Sequence, residues 1–172
     1  KGTFVDKDPS NGPCRNIIVQ NCYFKKAGGG VTFGSECYDA SNIIIRNCLF
    51  NGTSNILLFK MRPDTPQRYE NVLAENCKGF TRYGIRTRIW TQFYDKKDRK
   101  DMPRSKVNNV TMRNIDVEST ERFYSMEPSE KYELGSFVFE NINAKDPEGQ
   151  MDTSFLGSCR LKNVKVNGKA IK

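Results

Sequence analysis

The chain has 172 residues, which is enough for one domain with a sizeable core and short for two ordinary domains. Its 28 Lys and Arg residues exceed its 20 Asp and Glu residues by 8, and this positive charge favours an anionic partner, be it nucleic acid, acidic polysaccharide or anionic membrane. No run of about 18 apolar residues occurs, so the sequence predicts no membrane-spanning helix.

A phrase made of an apolar run closed by asparagine recurs along the chain. It reads RNIIVQNCYF at 15–24, SNIIIRNCLF at 41–50 and ENVLAENCKGF at 70–80, with looser copies at 108–117, 135–144 and 159–168. The aligned asparagines follow one another at steps of 26, 29, 38, 27 and 22 residues: Asn21, Asn47, Asn76, Asn114, Asn141 and Asn163. Periods of this length are typical of solenoids and related repeat arrays.

Each copy is rich in Ile, Val and Phe with polar residues in alternation, which predicts a short β-strand. Further strand candidates lie between the copies, at 30–35, 55–61 and 83–90, and no segment has a convincing helical period. We therefore predict an all-β fold, a right-handed parallel β-helix of about six rungs, in which residues 1–172 form a single domain.

Stacked rungs explain the repeated asparagine and the cysteine beside it. Residues at equivalent positions of successive rungs form columns, in which asparagines can hydrogen-bond to one another and adopt the left-handed conformation of a corner. Cys22, Cys48 and Cys77 then form a second column of small, buried free thiols. The chain has no His and no CxxC pair, so we predict no metal site, and no cofactor is indicated.

The longest step between repeats contains TQFYDKKDRKDMPRSK at 91–106, which is charged and poor in strand-forming residues. This composition predicts a loop that protrudes from one rung. Two roles are open: a solvated excursion without function, or one wall of a binding groove.

The stretch AGGGVTFGSE at 27–36, followed by NIIIRNCLFNGTSNILLFKMRP at 42–63, resembles glycoside hydrolase family 28, the polygalacturonases and related pectin hydrolases. That family carries the motif G-H-G-x-S-x-G-S, then a rung, then R-x-K. Residues matching it are Gly28, Gly30, Gly34, Ser35 and Lys60, whereas Gly29 and Leu58 stand in place of the family His and Arg. KMRPDTPQ at 60–67 and WTQF at 90–93 are similar to stretches of the exo-acting bacterial branch.

The resemblance implies inverting hydrolysis of galacturonan or rhamnogalacturonan by two carboxyl groups, in a secreted or periplasmic enzyme without cofactor. The family's aspartates lie in N-T-D and D-D motifs that precede the Gly-His-Gly rung and do not occur here, so the chain resembles the C-terminal half of such an enzyme. We predict no catalytic residue within this segment. A noncatalytic β-helix that binds acidic glycans, or a purely structural one, remains the alternative.

Alternation along two strand candidates points to a binding surface. If Leu57 and Phe59 face inward, Leu58 and Lys60 face outward, and the next rung places Arg86 and Arg88 outward beside them. We refer to Lys60, Arg86 and Arg88 as the cationic strip. Galacturonate carries one carboxylate per sugar, which Arg can bind through two hydrogen bonds.

The candidate substrate-binding residues are Lys60, Arg86 and Arg88, with Trp90 as a surface on which a sugar can stack and Ser35 from the family motif. A basic, solvent-facing strip without function is the competing interpretation. The predicted partner is an acidic, pectin-type polysaccharide or oligosaccharide; no nucleic-acid motif occurs and no membrane is predicted as partner. Unpaired strand edges at the first rung also favour self-association.

Overall fold

The computed structural model describes residues 12–92 and 104–172 of the chain, and over these residues the fold is all-β. Eleven strands and no helix occur in them. The strands are β1 (Cys14–Gln20), β2 (Tyr23–Lys25), β3 (Val31–Phe33), β4 (Asp39–Arg46), β5 (Leu49–Met61), β6 (Arg68–Ile89), β7 (Ser105–Ser125), β8 (Tyr132–Leu134), β9 (Ser136–Lys145), β10 (Ser158–Val166) and β11 (Lys169–Ala170). In this part of the chain there is accordingly no helix that could cross a membrane.

The strands pair in parallel, and each copy of the repeat pairs with the next copy. The main path runs β1-β4-β6-β7-β9-β10-β11, with β2 and β3 beside β5, β5 beside β6, and β8 beside β7. Only the terminal hairpin of β10 and β11 is antiparallel among the described strands. The mostly parallel sheet is compatible with the predicted β-helix.

The core consists of columns in which one residue per repeat points inward. Ile43, Val72, Val110 and Phe137 are successive Cα partners, and each has at most 3% of its surface exposed. These branched and aromatic side chains fit the inward face of a pleated strand. This column therefore forms part of the hydrophobic core.

The asparagine that closes each repeat forms a ladder, as the sequence predicted. All six aligned asparagines have φ between 52° and 56°, the left-handed conformation that Asn accepts more readily than most residues. From the third repeat onward each side-chain amide donates to the amide oxygen of the preceding repeat, at 3.0 to 3.1 Å, and the donors are Asn76, Asn114, Asn141 and Asn163. The column therefore pins the register of successive repeats.

A second asparagine ladder lies five residues earlier in each of the first four repeats. Its members Asn16, Asn42, Asn71 and Asn109 have φ between 52° and 59°, and consecutive amides are joined by hydrogen bonds of 2.7 to 3.0 Å. Two ladders thus bracket one face of the sheet. In each of these four repeats the sequence shows the two ladder asparagines five residues apart.

The cysteine column matches the prediction in its interior and differs at its end. Cys48 and Cys77 are fully buried free thiols, whereas Cys22 is half-buried because no described strand covers the first repeat. The predicted loop at 91–106 ends earlier than expected, since β7 already begins at Ser105. Residues 93–103 of that loop lie outside the described part of the chain.

Candidate functional site

The cationic strip lies on two strands whose register is the one predicted. Lys60 of β5 is the Cα partner of Arg88 of β6, and Leu58 is the partner of Arg86. Leu57 and Phe59 are fully buried, as the alternation predicts, but Leu58 between them is only 8% exposed, so burial alternates only at the end of β5, where half-buried Lys60 follows Phe59. The pairing places three positive side chains on adjoining positions of one face.

Two aromatic rings lie against these cations. The Lys60 Nζ atom is 3.8 Å from the centroid of the Trp90 ring, and the Arg88 Cζ atom is 5.6 Å from the same centroid. The Arg86 Cζ atom is 4.1 Å from the centroid of the Tyr83 ring. Cation–π attraction of this kind holds a positive group against a ring while leaving its other donors available. The site therefore divides into a Lys60–Arg88–Trp90 group and an Arg86–Tyr83 pair.

Within the described residues, none of the three cations of the strip forms an ion pair. Neighbouring arginines on the same side behave differently, since Arg82 pairs with Glu121 at 3.3 Å and Arg122 with Glu148 at 2.6 Å. Two cations about 5 Å apart repel by roughly 1 kcal/mol in water and by more in a drier groove. An anion bound between them would relieve this repulsion.

Leu58 lies beside the cationic strip, as the Cα partner of Arg86, and its side chain is buried. It is 8% exposed, yet it does not belong to the contiguous hydrophobic core. Its Cα partners are Thr32 on one side and Arg86 on the other. The position that holds Arg in the family motif is thus an apolar patch beneath the strip, with no charge to offer a ligand.

Ser35 lies beside the strip in the connection between β3 and β4. It lines, together with Lys60, a cavity of about 390 Å³ at the β1 end of the sheet. Two glycines that match the family motif are also required by packing. A Cβ on Gly30 would collide with the Phe50 ring. A Cβ on Gly34, whose φ is +92°, would lie 2.7 Å from the Lys60 carbonyl oxygen. Sequence and geometry therefore place Ser35 and Lys60 together.

A buried polar network supports the site from below. Arg62 is 1% exposed and binds Asp64 through two hydrogen bonds, Nε to Oδ1 at 2.8 Å and Nη2 to Oδ2 at 2.6 Å. Its Nη1 atom donates to the Gln92 carbonyl oxygen at 2.9 Å, and the Gln67 amide donates to the Ser35 carbonyl oxygen at the same distance. The network fixes the chain on both sides of the strip.

Two aspartates of the described residues, Asp39 and Asp64, are buried and bound by arginine. Asp39 is the first residue of β4, is 8% exposed and accepts hydrogen bonds from Arg15 and Arg68, each at 3.0 Å. Asp64 is buried against Arg62. Both carboxylates are engaged by arginine, because their burial requires a partner for the charge. Five other aspartates lie outside the described residues: Asp6, Asp8, Asp95, Asp98 and Asp101.

Tyr83 is the site residue that the sequence did not reveal. It lies three positions before Arg86, a spacing that simple alternation assigns to opposite faces of a strand. A register irregularity between Thr81 and Tyr83 shifts the pairing of β6 with β7 at this point. The sequence signal for it is Gly84, whose missing side chain leaves room for the Phe123 ring of the next strand.

The described residues contain no cluster of three or more His, Cys, Asp or Glu side chains arranged to hold a metal ion. The chain matches no protein-family model, no curated protein and no solved structure.

Proposed function

We propose that the chain is a right-handed parallel β-helix of about six rungs, one for each copy of the repeat, and that it binds acidic pectin-type glycans through the cationic strip. The parallel pairing of each repeat with the next supports a β-helix. Its proposed right-handedness follows the general rule that connections between parallel strands of one sheet are right-handed in nearly all proteins. We further propose that residues 1–172 act as a single domain.

The observation that carries the binding function is a set of cations that have no acidic partner among residues 12–92 and 104–172 and that lie beside two aromatic rings. Lys60 and Arg88 contact Trp90, and Arg86 contacts Tyr83. Arginine binds a carboxylate through two parallel hydrogen bonds, and a ring face is a surface for the apolar face of a sugar. Galacturonate presents both features in every residue of its polymer.

The complete protein, in this proposal, is a pectin-directed hydrolase of glycoside hydrolase family 28 that inverts the anomeric centre of galacturonan or rhamnogalacturonan. One carboxyl group protonates the leaving oxygen and a second activates water, and the N-T-D and D-D motifs of the longer polypeptide supply them. Ser35 and Lys60 then contribute to substrate binding. A secreted or periplasmic location accords with a cell-wall polysaccharide as substrate.

A noncatalytic acidic-glycan-binding β-helix is the second candidate, and two residues favour it. Gly29 and Leu58 stand where the family has His and Arg, and Leu58 is covered beside the strip. Release of reducing sugar from polygalacturonate by the natural gene product, abolished by substitution of an N-T-D aspartate, supports the hydrolase. Binding of the same polymer without release supports the second candidate.

The binding function is tested by calorimetric titration of the chain with oligogalacturonate and with a neutral oligosaccharide of equal length. We expect Lys60→Ala combined with Arg88→Ala to weaken oligogalacturonate binding roughly tenfold or more, because each lost charge-assisted hydrogen bond contributes on the order of 1.5–3 kcal/mol. Added salt should weaken binding by the unmutated chain in the same direction.

Lys145→Ala combined with Lys165→Ala is the matched control, because it removes the same charge from exposed positions of β9 and β10. This control should bind oligogalacturonate like the unmutated chain. Equal losses in the two double variants would mean that net charge, and not the strip, attracts the glycan. Salt-insensitive binding that survives the loss of Lys60 and Arg88 would refute the proposal.

A further inference from the structure

Two cysteines at the β1 end of the sheet belong neither to the repeat nor to the cationic strip. Cys14 is the first residue of β1, and Cys37 lies in the connection between β3 and β4. Both are half-buried, and both line the cavity of about 390 Å³ that Ser35 also lines. Two thiols from different segments of the chain therefore face one space.

The backbone brings the two sulfur atoms towards each other. Cys14 is the Cα partner of Ala40, and the Cys37 thiol donates to the carbonyl oxygen of Asp39, the residue before Ala40, at 3.4 Å. The backbone of Cys14 and the thiol of Cys37 thus both lie beside the Asp39–Ala40 peptide. Their contact is also electrostatic: burial, and then the neighbouring Cys14 through its charge and a hydrogen bond, raises the pKa of Cys37 to about 12.

The position of Cys37 is fixed by its own backbone. Its carbonyl oxygen accepts hydrogen bonds from the Tyr69 hydroxyl at 2.7 Å and from the Gln67 amide at 3.1 Å. Tyr69 is fully buried and anchors this connection to the core. These contacts hold the Cys37 backbone in place beside the cavity.

We propose that Cys14 and Cys37 form a thiol–disulfide site, which a small organic disulfide such as oxidised glutathione converts into an intramolecular disulfide bond. One protein thiolate attacks the reagent, forms a mixed disulfide and releases one glutathione thiolate. The second protein thiolate attacks the mixed disulfide and releases the other. Two S–H bonds of the protein and one S–S bond of the reagent are lost, one protein S–S bond forms, and the two protons leave with two glutathione thiols.

Either thiol can attack the reagent first, because both are half-buried and line the cavity, and the other then resolves the mixed disulfide. Cys48 and Cys77 are also neighbours, but both are fully buried and out of reach of such a reagent. Cys22 is half-buried but its neighbour Cys48 is fully buried, so among these neighbouring cysteines only the pair at the cavity has two reachable thiols.

The test is oxidation of the folded chain with oxidised glutathione, followed by intact mass measurement and mapping of cross-linked peptides. We expect the loss of two thiols, a Cys14–Cys37 cross-link without retained glutathione, and a rise in Tm of roughly 5 °C or more, since the bond closes a loop of the unfolded chain. Cys37→Ser should retain one glutathione on Cys14, and Cys14→Ser should form no internal disulfide.

Cys159→Ser is the control, because Cys159 is a half-buried thiol on β10, at the other end of the sheet. It should oxidise as the unmutated chain does. A cross-link that involves any other cysteine, a stable mixed disulfide on the unmutated chain, or no reaction at all would overturn the proposal. None of these readouts depends on glycan binding, so the outcome is independent of the proposed function.

Discussion

At each corner of the repeat, an asparagine combines two properties that other residues rarely offer together. Its backbone adopts positive φ, and its side-chain amide both donates to the preceding repeat and accepts from the following one. Asn114 shows both functions, with φ of 53°, a bond of 3.0 Å to Asn76 and a bond of 3.0 Å from Asn141. A single residue thus sets the bend of one strand and the register of three.

We expect Asn114→Ala to reduce the free energy of unfolding by about 2–4 kcal/mol. The variant loses both side-chain hydrogen bonds, and alanine is strained at positive φ, a conformation that asparagine tolerates better. Asn114→Gly keeps the backbone conformation and should cost only about 1–2 kcal/mol. Urea unfolding monitored by circular dichroism measures both. Asn143→Ala is the control, because Asn143 is an exposed asparagine outside both ladders. Equal losses for Asn114→Ala and Asn143→Ala would contradict the function assigned to the ladder.

At the scale of strands, the long β5, β6 and β7 bend at several points while they remain paired. One bend is at Gly79 of β6, whose φ is +127° and whose Cα lies against the carbonyl group of Phe50. In the next repeat Val117 occupies the equivalent position. The close approach of two backbones at Gly79 lets neighbouring repeats stack where a side chain would hold them apart.

Gly79→Ala should destabilise the fold by roughly 3 kcal/mol or more, because the new Cβ would overlap the Phe50 carbonyl oxygen. Gly168→Ala separates this steric effect from backbone strain, since Gly168 also has positive φ, of 76°, but has no atom within 4 Å of the new Cβ. It should cost only about 1 kcal/mol. Thermal unfolding of the two variants provides the comparison, and similar Tm values would show that the contact with Phe50 is unimportant.

The strands, the asparagine ladder and the pairing of Lys60 with Arg88 could all be predicted, because each follows from a pattern that repeats along the chain. The buried pair of Arg62 and Asp64 could not, since charges in a turn look solvated until contacts with distant segments bury them. Alternation did not predict Tyr83 as a site residue either, because it lies an odd number of positions before Arg86, yet its ring contacts the Arg86 guanidinium group. Sequence repeats therefore predict the regular strands and ladders, whereas residues whose surroundings are set by tertiary contacts, such as Arg62 and Asp64, cannot be predicted from the repeats.

At the scale of the whole molecule, neutral acids are distributed along the core. Burial is the main cause that raises the pKa values of Cys48, Cys77, Tyr69 and Tyr124 above their ordinary ranges. The folded chain therefore holds these protons more tightly than the unfolded chain does. These groups lie in several repeats, so their deprotonation would destabilise the core along much of the sheet and not in one region only.

The stability of the protein should consequently fall at alkaline pH. Burial raises the pKa of Cys77 from 9.0 to about 12, so below pH 9 both states carry the proton and its contribution to stability is fully present. As the pH rises from 9 towards 12, the unfolded chain releases this proton while the folded chain retains it, and the contribution is lost at up to about 1 kcal/mol per pH unit. Urea unfolding between pH 7.5 and 10.5 measures this slope. Cys77→Ala should make the slope shallower, because the variant lacks the titrating thiol and the stability lost to its small cavity is the same at every pH. An unchanged slope in the variant would show that the buried thiol does not govern the alkaline transition.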